Sequence, residues 1–201
     1  MSPRRGAAAR AGRVVLCAAL SAAGPVFAAC RRAPSLEEYG RVPDFTLTER
    51  SGRTVRLADL LGRPWVADFI FTRCTGICPA MTTRLARLDR ELPEAVRAVS
   101  ITVDPGHDTP AVLAEYGRRA GASPDWMFLT GPPAAVYDLS VKGFRLSAEA
   151  LPPDQAGPDG PFLHSSKFVL VDARAVIRGY YDSADEAALR RLSADAETLL
   201  R

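Results

Sequence analysis

The chain has 201 residues, 47% of them hydrophobic and 24% charged, which is the balance of a globular domain with a full core and excludes a disordered or fibrous chain. The formal net charge of +3 misleads, because the first 29 residues hold four arginines and no acid; taking those four from +3 leaves −1 for residues 30–201. No basic run remains in that part, so nothing points to nucleic acid as a partner.

At the N-terminus, Arg4, Arg5, Arg10 and Arg13 precede an apolar and small-residue run from Val14 to Ala29, interrupted by Pro25. The run is short for a membrane span, which takes about 20 residues, and fits a secretory signal better. It ends Phe27-Ala28-Ala29-Cys30, a pattern similar to a bacterial lipobox, in which the cysteine is lipidated and becomes the new N-terminus. An uncleaved anchor and plain cleavage with release are the alternatives. Cys17 reads as a small apolar residue of the leader. The expected division is a signal peptide or membrane anchor at 1–29, a polar tether at 30–41 and a folded domain at 42–201. Export places that domain on the periplasmic side of the inner membrane, where disulfides are permitted. Of four cysteines, only Cys74 and Cys78 fall inside it.

Within the domain, Phe45-Thr46-Leu47 and Thr54-Val55-Arg56-Leu57 flank a Ser51-Gly52 turn and predict an N-terminal hairpin. Trp65 to Phe71 is an apolar run of strand length. Pro79 stands where a first helical turn tolerates it, and Met81, Leu85, Leu88 and Leu92 then recur at helical spacing. A strand is predicted from Val96 to Val103. A helix opens at Thr109-Pro110, turns Val112, Leu113 and Tyr116 inward, and ends near Gly121. Trp126 to Leu129 predicts a third strand and Ala134 to Val141 a helix. Gly143 to Leu163, rich in Pro, Gly and Asp, reads as a loop or excursion. Lys167 to Val171 and Ala175 to Tyr181 predict two strands about an Asp172-Ala173-Arg174 turn, with a last helix from Ser183. Helices joining parallel strands, closed by an antiparallel hairpin, give an α/β class: a central mixed sheet flanked by helices. A cysteine pair at the first main strand-to-helix junction gives this the order of a thioredoxin-like fold. Ligand sites of open α/β sheets lie at the carboxyl ends of strands, where Cys74 and Cys78 stand.

Three chemistries suit the pair. A structural disulfide is the plainest, but so short a loop removes only about 2 kcal/mol of chain entropy. Thiol–disulfide exchange and metal binding both need a thiolate, and the start of a helix favours one. Thioredoxin-type redox motifs are C-x-x-C; here Thr75-Gly76-Ile77 lie between the sulfurs, which lets both thiolates face one small ion without preventing a disulfide. The chain has two histidines, His107 and His164. His164 lies just before the strand at Lys167, in the segment that faces the cysteine pair in thioredoxin-like proteins, and thiolates with imidazole suit copper. His107 lies in Asp104-Pro105-Gly106-His107-Asp108-Thr109-Pro110. That loop reads either as a plain helix start capped by Asp108 or Thr109, or as a wall of the site with His107 as a transient ligand. A thiol peroxidase pattern, P-x-x-x-T-x-x-C, is not met, because Phe71 and not proline precedes Thr75 by four.

Taken together, Asp68-Phe69-Ile70-Phe71-Thr72 before Cys74-x-x-x-Cys78-Pro79, then Val103-Asp104-Pro105-x-x-Asp108-Thr109-Pro110, then His164-Ser165 before an apolar strand, resemble the Sco/SenC family of copper-handling thioredoxin-fold proteins. The resemblance spans residues from about 40 to 200. It implies one copper ion, Cu(I) or Cu(II), on Cys74, Cys78 and His164. It also implies a role in building the dinuclear copper site of cytochrome c oxidase, with the subunit that carries this site as partner and the membrane reached through the N-terminus. Thiol–disulfide oxidoreductase activity of Cys74 and Cys78 towards a client is the alternative. Thr75 and Gly76 stand where the family often has proline and an acidic residue, and the loss of a like charge eases thiolate formation.

Overall fold

The computed structural model describes residues 36–150 and 162–201. The expectations for the leader, for Cys17 and for lipidation at Cys30 lie outside the described residues, as does the middle of the Pro/Gly/Asp-rich stretch. In chain order the elements are β1 (Gly40–Arg41), β2 (Thr46–Glu49), β3 (Thr54–Arg56), a 3-10 turn (Leu57–Leu60), β4 (Trp65–Ile70), α1 (Ile77–Glu91), β5 (Arg97–Thr102), α2 (Pro110–Ala120), β6 (Met127–Thr130) and α3 (Pro133–Asp138). A π-turn (Leu139–Gly143), β7 (Ala148–Ala150), β8 (Phe162–His164), β9 (Lys167–Val171), β10 (Val176–Asp182) and α4 (Glu186–Thr198) follow. No helix among the described residues is long and apolar enough to cross a membrane.

Eight strands form one mixed sheet in the order β1-β10-β9-β4-β5-β6-β2-β3. β4, β5 and β6 are parallel, while β9 runs antiparallel to β4 on the other side. The predicted hairpin is β2–β3, and it joins the sheet through β6. β4 sits at the centre, and all six of its residues are buried, which is why Trp65 to Ile70 reads as a continuous run and not as an alternation. Phe144 closes one part of the core, with its ring edge-on to Trp65 and Phe69 at 5.8 and 5.3 Å between centroids.

The helices follow their local signals. Met81, Leu85 and Leu88 of α1 are buried. Thr109 caps α2 by accepting from the Val112 N–H at 3.4 Å, Pro110 follows as the first helical residue, and Gly121 ends the helix at φ 68°, a left-handed conformation that favours glycine. Two expectations need correction. The end of the polar tether forms β1, paired to β10 at Gly40↔Ile177. The stretch read as a loop contains β7 and β8, which form a small two-stranded sheet of their own with Ala148 opposite His164. His164 therefore ends a strand and is not merely a residue ahead of β9. All three strands are two or three residues long, too short to carry a periodic pattern.

One polar residue is embedded in β4. Asp68 is fully buried, and its Oδ1 accepts from Ser100 Oγ at 2.6 Å on the neighbouring β5, which in turn accepts from Trp126 Nε1 at 2.9 Å. Its Oδ2 has no hydrogen-bond partner. Burial outweighs the bond from Ser100 and pushes the carboxyl up from its ordinary value to about 7. A raised carboxyl binds its proton more tightly in the fold than in the unfolded chain, so its contribution is present at low pH and lost as pH rises to about 7. At about 1.4 kcal/mol per unit, the change is on the order of 4 kcal/mol. Urea unfolding of Asp68→Asn is expected to lose this fall in stability between pH 4 and 7, and to exceed the parent at pH 8. Parallel pH profiles for the two proteins would show that Asp68 ionises in the fold at no cost.

Candidate metal centre

The cysteine loop follows directly from β4. The chain leaves the sheet at Phe71 and turns so that the Cys74 N–H reaches back to the Phe71 carbonyl at 3.3 Å. It then enters α1, in which Ile77 is the first residue, Cys78 the second and Pro79 the third. The missing N–H of Pro79 falls among the N-terminal groups that have no intrahelical partner in any helix. Cys74 and Cys78 are both thiols, 7% and 0% exposed. The Phe71 backbone and the Cys74 side chain both act on the Cys78 thiol.

The start of a helix was expected to favour the thiolate. For Cys78 the structure shows the reverse: burial pushes the thiol up, the bond with Phe71 only partly opposes this, and Cys74 and Asp68 add to the rise. Position at the second residue of α1 does not compensate for complete removal from water. Cys74, the more exposed thiol, lines a hollow of about 310 Å³ with Thr72, Pro79, Thr82, Tyr116 and Arg119. At its edge Thr82 Oγ1 and Tyr116 Oη share a hydrogen bond of 2.6 Å between α1 and α2.

The loop from Asp104 to Pro110 holds the cysteine loop in place. Asp108 is fully buried and does not cap α2. Its Oδ2 accepts from the Thr72 N–H at 3.0 Å and from Thr102 Oγ1, and its Oδ1 from Thr72 Oγ1 at 2.5 Å and from His107 Nδ1 at 2.9 Å. Asp104 accepts from Arg73 Nε at 3.0 Å and pairs with the same guanidinium through Nη2. Its own N–H donates to Thr102 Oγ1 at 3.0 Å. Thr72 and Arg73, the two residues before Cys74, are thus each fixed by one acid of this loop. Thr72 stands in the motif that carries the family resemblance but was given no role there, and Arg73 and Thr102 were not singled out; the available signal was a hydroxyl and a cation directly after an apolar strand run.

His164 comes near this region through its strand. Phe162, two positions earlier in β8, meets Phe71 edge-on at 5.5 Å between ring centroids. The Ser165 N–H donates to the Ser147 carbonyl at 3.2 Å and continues the β7–β8 pairing past His164. The residue that bonds both cysteines thus also touches the strand that ends in His164. His107 is brought to Thr72 instead, on the side of the loop after β5.

A profile described as SCO1/SenC matches residues 34–200. The SCO1 protein homolog of Bacillus subtilis is 32% identical over 162 residues, covering 78% of this chain and 81% of its own. Among solved structures, BsSco, a member of the Sco family of cytochrome c oxidase assembly proteins in which a disulfide switch has been identified, is 29% identical with a TM-score of 0.69, over 82% of this chain and 95% of that one. Yeast Sco1 with copper bound is 26% identical with a TM-score of 0.62, over 76% and 87%. The thioredoxin-like fold, the paired thiols and the loop behind them agree with these matches, and this chain belongs to the SCO1/SenC family.

Proposed function

We propose that this protein is a copper metallochaperone, which holds one copper ion on the Cys74 and Cys78 thiolates and the neutral His164 imidazole and delivers it to the dinuclear copper site of cytochrome c oxidase. The observation that carries the reading is a pair of buried thiols on one loop, with Phe71 of that loop packed against the strand that ends in His164. Two thiolates and an imidazole are a soft donor set suited to copper in either state, and a Sco relative has been solved with copper bound. The N-terminal run that ends at Cys30 would tether the domain to the inner membrane on its periplasmic side, through lipid or an uncleaved anchor.

Copper uptake by the reduced full chain tests this, with Cys17 and Cys30 replaced by serine. One copper per chain is expected, with Cu(II)–thiolate charge-transfer bands. His164→Ala should weaken binding by more than the roughly 10–100-fold that loss of an outer-sphere partner costs, with an unchanged circular dichroism spectrum. Equal affinity in His164→Ala removes that residue from the site. Affinity is also expected to weaken as pH falls, because all three ligands must give up protons. The raised Cys78 thiol extends this dependence to higher pH, because its proton must still be displaced there.

The second reading, a thiol–disulfide oxidoreductase, is favoured by the same pair of free thiols, of which Cys74 alone lines the hollow. Cys74, on the hollow, would attack a client disulfide and Cys78, behind it, would resolve the mixed disulfide, so that the client gains two thiols as this pair is oxidised. Client reduction that survives His164→Ala, in a chain that retains no copper, would put this reading first.

A further inference from the structure

Neither reading uses His107, yet its surroundings are not those of an idle loop residue. Its ring is 42% exposed while Nδ1 lies 2.9 Å from Oδ1 of a carboxylate with no exposure at all. That carboxylate already accepts from Thr72 N, Thr72 Oγ1 and Thr102 Oγ1, none of which can give it a proton to pass on. Asp108 is therefore an acceptor at every contact, and the proton of a neutral His107 must sit on Nδ1. The hydrogen-bond network assigns the tautomer: Nε2 carries the lone pair, and it makes no hydrogen bond among the described residues. A histidine whose one nitrogen donates to a buried carboxylate while the other is left bare is the arrangement by which proteins orient imidazoles towards metals.

Asp104, His107 and Asp108 do not form a three-residue chelate, although their ligand atoms lie within 4.8 Å of one another. Asp104 is committed to Arg73 and Asp108 to its four donors. What remains for a metal is Nε2. Its position suits that use. Thr72 Oγ1 lies 3.4 Å from the ring, and Cys74 is two residues beyond Thr72, a reach of at most about 7 Å along the chain. Cys78 is sealed and Cys74 nearly so, so an ion arriving from water meets an imidazole before it meets both sulfurs.

We propose that His107 is the first-contact copper ligand, binding an arriving ion through Nε2 and passing it to Cys74. The proposal rests on the copper reading above. The transfer is ligand exchange: an Nε2–copper bond forms, a copper–sulfur bond forms at Cys74 as its thiol proton leaves to water, and the Nε2–copper bond breaks. No electron changes hands.

Stopped-flow mixing of the reduced full chain with Cu(II) tests it, following growth of the thiolate charge-transfer band. His107→Gln is expected to load about tenfold more slowly, about 1.4 kcal/mol on the barrier, and to reach the same endpoint. A rate equal to the parent's overturns the proposal. A parent chain that takes up no copper would overturn the proposed function instead, and a second measurement separates the two. In Cys74→Ser/Cys78→Ser/His164→Ala, His107 is the last histidine of the chain. Pulsed electron paramagnetic resonance with Cu(II) is expected to show coupling to an imidazole nitrogen that disappears when His107→Gln is added. Copper bound without that coupling, or no copper bound, overturns the proposal.

Discussion

The position of the cysteine pair depends on one buried carboxylate. Asp108 collects donors from Thr72 beyond β4, from Thr102 at the end of β5 and from His107 in its own loop. Parallel strands deliver their carboxyl ends side by side but leave the loops beyond them unspecified. A single acceptor with four lone-pair positions, removed from water, fixes the two loops against each other, because without these donors its charge would be buried unpaired. The Arg73–Asp104 pair repeats the connection one residue nearer to Cys74, at the surface, where an ion pair adds less. Rigidity here comes from polar contacts, whereas the strand beneath is held by apolar burial.

Against that fixed frame, the thiols are placed where ionisation is costly. The partial positive charge at the start of α1 cannot offset the complete burial of Cys78, and a carboxyl at Asp68 raises the thiol further. Asp68, in the sheet beneath, is itself pushed up to about 7, so this carboxyl and the Cys78 thiol both resist charge. A cation changes this balance. In the copper reading proposed above, an ion held between the sulfurs would replace the protons and neutralise the charge that burial disfavours. The pair would then be stable as protonated thiols or as a metal complex, and unfavourable as bare thiolates.

Much of this was legible in the order of residues. The apolar run of β4, the helical spacing from Met81 to Leu88 and the Thr109-Pro110 start of α2 are local signals, and each element appears where its signal stands. The cysteine pair could be placed at a strand-to-helix junction by the same means. Four things could not. β1, β7 and β8 are too short to show a period and exist because other strands offer edges to them. Asp108 and Thr109 were equal candidates for the cap, and the choice was made by Thr72 and Thr102, which lie far from them in sequence or on another strand end. Thr72 and Arg73 look like ordinary polar residues until the loop carrying Asp104 and Asp108 is set beside them. The state of Cys78 depends on how deeply its helix start is covered, which spacing does not encode.

The same pair of sulfurs suits a disulfide and a metal, and what separates the two outcomes is access. Of the two, only Cys74 borders the hollow between α1 and α2, so an approaching thiol or disulfide meets one sulfur at a time. A metal ion held as proposed above would end on both sulfurs with both protons displaced. The geometry therefore gives exchange chemistry a direction, from Cys74 inward, whereas the proposed metal complex needs both thiols in the end. Oxidation to the disulfide would remove both proposed ligands at once, so a copper-holding form and a disulfide form would exclude each other, and the reducing state of the compartment would decide between them.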